Sequence, residues 1–235
     1  MKFICFIFLP FLLLLIYTSD SNSETKENTE VPIDCPLKNG IDAHNMKPFE
    51  NVNKYIDFLE RKDRTAWQKP DLVISSMGLK GSESIADIGA GSGYFTFRFA
   101  SALQKGRVIA IDAEPDMIRH IHHKSMMTGI KNIQVILASY DNPRVPKDID
   151  IVFICDVLHH VKNRTEWLMK LNTEMRKGSK LVLIEFKEGN LPEGPPKKMK
   201  IPGKEMLSIV TEAGFKLVKQ NNDLLPYQYY YEFEK

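Results

Sequence analysis

Residues Asp87–Phe95 read DIGAGSGYF and follow directly on the short apolar run SIA, residues 84–86. Three glycines alternating with small residues, just after a buried strand, keep the main chain bare where no core requires it. Something outside the chain must approach the backbone there. In open α/β sheets, ligands sit beyond the carboxyl ends of the strands where the strand order reverses, and the first strand–helix turn is the usual place. The spacing is Gly89-x-Gly91-x-Gly93, with Tyr94 where a dinucleotide fingerprint carries its third glycine. That fingerprint brings a pyrophosphate to a helix N-terminus. The tighter loop suits a ligand without phosphates and disfavours a nicotinamide dehydrogenase.

Two acids frame the loop. Asp87 precedes it at the end of the first strand, and Asp112 ends the next strand, about 19 residues after Gly93. A carboxylate at the second position can accept hydrogen bonds from both hydroxyls of a ribose. A ligand carrying an amine benefits from Asp87 as well. S-adenosyl-L-methionine combines a ribose, an ammonium and a sulfonium with no phosphate, and fits both acids and the loop.

The pattern on either side fixes the fold class. SIADI (84–88), RVIAID (107–112), IQVIL (133–137), IDIVFIC (149–155) and KLVLIEF (180–186) read as buried strands. Helical stretches lie between them near 94–104, 114–127 and 163–176. Pro115 stands at a first helical position, while Gly129 and Gly178 follow helix ends. Apolar strands alternating with amphipathic helices imply a parallel sheet covered on both faces. The tail adds a helix near 203–213 and two strands, 215–220 and 227–234, whose short connection suggests an antiparallel pair closing the sheet. Upstream, residues 49–60 carry helical spacing, and a second helix starts near Thr65, restarts at Pro70 and ends before Gly78.

The chain has 235 residues, 43% hydrophobic and 26% charged, with a net charge of +2, which does not point to a polyanion partner. Residues 1–22 stand apart. One lysine precedes an apolar run from Phe3 to Tyr17, too short to span a bilayer comfortably, and small polar residues follow. The segment is expected to be a signal peptide or an N-terminal membrane anchor, placing the protein in the secretory pathway with possible membrane association through residues 3–17. Residues 23–43 read as a disordered linker, and residues 44–235 as the folded domain. Three cysteines, Cys5, Cys35 and Cys155, offer neither a disulfide framework nor metal spacing, so no metal is expected.

DIGAGSGYF, IAIDAEPDMI (109–118) and DIDIVFICDVLHHV (148–161) resemble the first, second and fourth motifs of class I S-adenosylmethionine-dependent methyltransferases. YIDFLERKDRTAWQKPDLVI (55–74), IEFKEGNLPEGPPKKMKI (184–201) and LLPYQYYYEF (224–233) resemble a largely uncharacterised group within them that often carries secretory leaders. The resemblance covers about residues 44–235. It implies the seven-stranded, mostly parallel Rossmann-like sheet with its last strand antiparallel, and carries over Asp87, Gly89, Gly91, Gly93 and Asp112 as cofactor residues. Where the family often has an acid that holds the adenine amine, this chain has Ser139, with Asp141 as a nearby substitute.

Methyl transfer from a sulfonium is an in-line displacement in which the protein aligns a nucleophile and, where needed, takes its proton. CDVLHH (155–160) follows the fourth strand, so Asp156, His159 and His160 stand at its carboxyl end. Either histidine is a candidate base, against a structural role in shaping the turn; Asp156 is expected to hold the methionine end of the cofactor. The Pro- and Gly-rich stretch 187–203 reads as a loop over the same edge, with Lys187 and Met199 as substrate contacts. Trp67, Gln68 and Lys69 could close over the cofactor. His120, His122 and His123 share a helix but lack further ligands at metal spacing. The Asn/Asp-Pro-Pro-aromatic motif of amine-directed nucleic-acid methyltransferases is absent, so a small-molecule or lipid-like acceptor is expected and nucleic acid is not. The alternative is a methyltransferase-like module that binds the cofactor without turnover.

Overall fold

A computed structural model describes residues 52–235. The expected leader (1–22), linker (23–43) and the first residues of the expected 44–235 domain lie outside the described residues. Among the described residues, no helix is long and apolar enough to cross a membrane.

Three short helices open the described chain: α1 (Val52–Leu59), α2 (Arg64–Gln68) and α3 (Pro70–Ser76). Strands and helices then alternate: β1 (Ser84–Ile88), α4 (Thr96–Ala102), β2 (Arg107–Asp112), α5 (Pro115–Thr128), β3 (Ile133–Leu137), β4 (Ile151–Cys155), α6 (Arg164–Glu174), β5 (Lys180–Phe186), α7 (Gly203–Glu212), β6 (Lys216–Asn221) and β7 (Gln228–Glu234). Pro115 starts α5 with its missing N–H at a position that needs none, and Gly129 ends it at φ 70°.

The seven strands form one sheet in the order β3-β2-β1-β4-β5-β7-β6. All pairings through β5 are parallel, whereas β7 runs antiparallel to both of its neighbours. The closing pair is therefore antiparallel as expected, with β7 slotted between β5 and β6. The order reverses between β1 and β4, which opens a crevice beyond their carboxyl ends.

Side chains alternate across the sheet with period two. Ala86, Ile88, Ile109, Ile111, Val152, Ile154, Leu181 and Leu183 face α6 and α7, meeting Trp167, Leu168, Leu171, Met206 and Val210. Ile85, Val108, Ile151, Phe153, Val182 and Ile184 face the other way, onto Val73 of α3, Met77 just after it, Phe95 just before α4 and Phe99 within α4. Strand β4 starts two residues later than its apolar run implies. Before it, the Asp150 carboxylate accepts from the Ser84 backbone N–H at 2.7 Å.

Candidate active site

A cleft of about 1220 Å³ opens at the carboxyl ends of β1, β2 and β4. The loop after β1 forms its floor. Gly89, Gly91 and Gly93 have φ of 68°, 56° and 83°, a region that side chains with a Cβ adopt only at a cost. The Gly89 and Ala90 N–H groups both donate to the Ile111 carbonyl, at 2.8 and 3.1 Å, which binds the loop to the end of β2. A Cβ on Gly89 would sit 2.2 Å from Cγ2 of Val157.

The two framing acids line this cleft. Asp112 accepts from the Gly91 N–H at 2.8 Å and from the Glu114 N–H at 2.9 Å. It thus fixes the loop as well as facing the cleft, and burial raises its carboxyl above the usual range. Asp87 is buried, accepts from the Thr96 hydroxyl at 2.5 Å, and is pushed up by burial to about 7. Ser139 donates to the Asp141 carboxylate at 2.6 Å, and both line the cleft beside Asp112. The serine and its substitute acid therefore form one polar pair.

Asp156 follows β4 at φ 61°, a strained value for a residue other than glycine. A buried amide chain holds it. Gln228 donates to both carboxylate oxygens at 2.6 and 2.8 Å, and Gln68 donates to Gln228 at 2.7 Å. Arg64 donates to Gln68 at 3.3 Å and stacks over Tyr94 at 4.0 Å. Burial and then the charge of Glu185 raise the Asp156 carboxyl.

The opposite wall is mostly apolar, with Phe58, Trp67, Phe186, Pro195, Pro196 and Met199 along it. Trp67 packs on Phe186 with ring centroids 5.7 Å apart. Arg61 bridges from the segment between α1 and α2 to Glu193 in the loop after β5. That stretch, expected as a loop at this edge, takes one 3₁₀ turn at Lys197–Met199. His159 and His160 stand in a 3₁₀ turn after β4, ring centroids 4.1 Å apart, and both line the cleft.

The cleft gathers every expected site residue but two: Gly93, whose Cβ position faces Phe97 and Ile121, and Lys187. Lys187, expected as a substrate contact, does not line the cleft. Its backbone N–H extends the pairing with β7 by donating to the Tyr227 carbonyl at 2.9 Å, and its ammonium donates to the Leu225 carbonyl at 2.9 Å. Pairing past the end of β5 directs this side chain toward the β7 connection. Of the residues expected to close over the cofactor, Trp67 lines the cleft, Gln68 is buried behind it, and Lys69 is the exposed left-handed joint between α2 and α3. Two buried residues that hold cleft side chains in place have no counterpart among the sequence-based expectations. Glu185 stands out only as a lone acid within the apolar run of β5, and Gln228 carries no local signal.

The family model described as a methyltransferase domain matches residues 79–228. The chain belongs to the methyltransferase domain family. By family and fold it is a class I S-adenosylmethionine-dependent methyltransferase. A solved S-adenosylmethionine-dependent methyltransferase from Aquifex aeolicus superposes with a TM-score of 0.71 at 22% identity, covering 77% of this chain and 96% of that one. Among curated relatives, a tRNA U34 carboxymethyltransferase of Cellvibrio japonicus is 31% identical over 58% of this chain and 44% of its own. An (S)-coclaurine N-methyltransferase of Thalictrum flavum is 26% identical over 49% of this chain and 32% of its own. The chain thus spans less than half the length of these two curated relatives. The expectation that nucleic acid plays no part is partly at odds with the first relative's name, while the second relative's name fits a small-molecule acceptor.

The residues of the cleft fit S-adenosylmethionine. A bare loop meets three carboxyls, Asp87, Asp112 and Asp156, all of them raised first by burial. Carboxyls in that state gain from a neighbouring cation, and this cofactor brings two positive charges and no phosphate. His159 and His160 line the same cleft as Asp156.

Proposed function

We propose that the protein transfers a methyl group from S-adenosylmethionine to a small-molecule or membrane-associated acceptor. One observation carries this reading: a single cleft joins a bare, acid-lined floor to an aromatic wall that carries two imidazoles. Bound against the floor, S-adenosylmethionine supplies an electrophilic methyl group on a positively charged sulfur. Asp112 accepts the ribose hydroxyls while its backbone donors hold it still. Asp87 and Asp156 receive the methionine ammonium, the latter kept in place by Gln228. Ser139 and Asp141 accept the adenine amine. Trp67, Phe186 and Met199 exclude water and align the acceptor against the methyl carbon.

An RNA acceptor is the second reading, favoured by the name of the Cellvibrio japonicus relative. A cofactor-binding module without turnover is the third. Calorimetry with S-adenosylhomocysteine tests the cofactor side: binding is expected, and no binding overturns the proposal. Methyl-labelled cofactor incubated with fractionated extracts tests the rest. Label in the small-molecule or lipid fraction is expected; label in RNA moves the acceptor, and no label beside intact binding favours the module. We also propose that residues 3–17 direct the chain to the secretory pathway or anchor it there. Protease protection of the tagged protein in intact cells is the check, with full digestion before permeabilisation, or a purely cytosolic pool, as the contrary result.

A further inference from the structure

Glu185 is 1% exposed, sits next to the end of β5, and reaches the cleft only through His159, which lines it. One of its oxygens accepts from the His159 backbone N–H at 3.3 Å, and the other lies 2.8 Å from His159 Nδ1. His159 is buried, whereas His160 is exposed to the cleft. Two imidazoles in ring contact therefore differ in burial and in partner: the inner one has a buried carboxyl against it and the outer one has none.

We propose that the acceptor is a weakly acidic X–H group, a phenol or thiol, on a flat apolar body, that His160 takes its proton, and that Glu185 is the positioning residue that holds His159 as the neighbouring cation. The inference rests on the methyl-transfer reading and names its substrate class.

The electrostatics agree with the geometry. Burial opposes charge on His159, yet the hydrogen bond and charge of Glu185 outweigh it and raise the imidazole above its ordinary value. His160 is lowered, first by burial and then by the charge of His159. The other charged groups around the pair are Asp156 at the end of β4 and Arg164 at the start of α6. A cationic His159 stabilises an anion forming on oxygen or sulfur and opposes an ammonium. Of the carboxyls on this side, Glu193 pairs with Arg61, Glu166 with Lys170 and Glu185 with His159, while Asp156 is held by the Gln228 amide and, in the proposed reading, is taken by the cofactor's ammonium. An alkyl alcohol is too weak an acid for so weak a base, whereas a phenol or thiol matches it. As His160 accepts the proton, the X atom bonds to the methyl carbon and the carbon–sulfur pair returns to sulfur. The positive charge lost at sulfur reappears on His160, so atoms and charge balance.

The test uses the full chain, methyl-labelled S-adenosylmethionine and four probes: 2-naphthol, 2-naphthalenethiol, 2-naphthylmethanol and 1,2,3,4-tetrahydroisoquinoline. Transfer to the naphthol or the thiol is expected, and the two arms tell which. Transfer to the amine or the alkyl alcohol alone, or to none of the four while S-adenosylhomocysteine still binds, overturns the inference and leaves the cofactor reading standing. His160→Asn is expected to cut turnover about 100-fold or more with cofactor affinity retained. Nitrogen-15 NMR titration reads the positioning role without any substrate. In the unchanged protein His159 titrates above His160, in Glu185→Gln the two converge, and in Glu185→Asp they stay apart. Convergent titration in the unchanged protein overturns the inference even if the glutamine variant does not fold.

Discussion

The two walls of the cleft are built by opposite means. The cofactor wall is nearly continuous main chain, the loop from Asp87 to Tyr94, with its N–H groups committed to Ile111 and to Asp112. The acceptor wall is assembled from side chains of distant segments, joined by Arg61–Glu193, His159–Glu185 and Trp67–Phe186. Backbone shape at three left-handed glycines leaves the first wall little room for substitution. The second can exchange one side chain for another of similar volume without disturbing the sheet. Cofactor choice is thereby fixed by geometry, and acceptor choice is open to change residue by residue.

The largest effect on this contrast is expected from Gly89→Ala. Its new Cβ would meet Val157 at 2.2 Å and the residue would keep a φ near 68°. Strain and overpacking together should cost about 3 kcal/mol, read by chemical denaturation, with cofactor binding lost as well. Unchanged stability would show that the floor yields as easily as the wall. Asp112→Ala comes next. It removes a carboxylate that holds the Gly91 and Glu114 N–H groups, and S-adenosylhomocysteine affinity in calorimetry should fall about 10- to 100-fold.

Acidity gives a third, smaller separation. Asp87 is raised to about 7 in the folded chain, so the stability it contributes is greatest below the ordinary carboxylate range and is lost as pH rises through about 7. A cation against it reverses that loss. The rise in Tm caused by S-adenosylmethionine should therefore grow from pH 5.5 to about 7 and then level off; a flat profile would detach Asp87 from the ligand. The smallest effect is expected at the acceptor wall. Arg61→Gln breaks a partly exposed ion pair with Glu193 and should cost less than about 1 kcal/mol. It should leave S-adenosylhomocysteine affinity unchanged while altering acceptor KM.

The same contrast separates what the amino-acid sequence makes legible from what it hides. The strands β1, β2, β3 and β5 match their apolar runs residue for residue; in β1, β2 and β5, coverage on both faces keeps the run almost wholly apolar. The floor is equally legible, since its glycines, Asp87 and Asp112 lie within one strand–loop–helix–strand unit. The roles of Glu185, Gln68 and Gln228 stay hidden because their partners are 26, 160 or 72 residues away, and no local spacing encodes such pairings. Lys187 departs from its expected place for a related reason: the pairing of β7 continues past β5 and turns it aside.

The place of β7 in the sheet bears on how the molecule is made. It is the seventh strand in sequence but the sixth in space, so β6 has no neighbour to join until residues 228–234 exist. Gln228, which steadies the strained Asp156, arrives on that same strand. A ribosome that has delivered the glycine loop, both framing acids and both histidines has still not produced a working crevice. Ligand-dependent protection of nascent chains should appear abruptly with the final strand and not build up along the way.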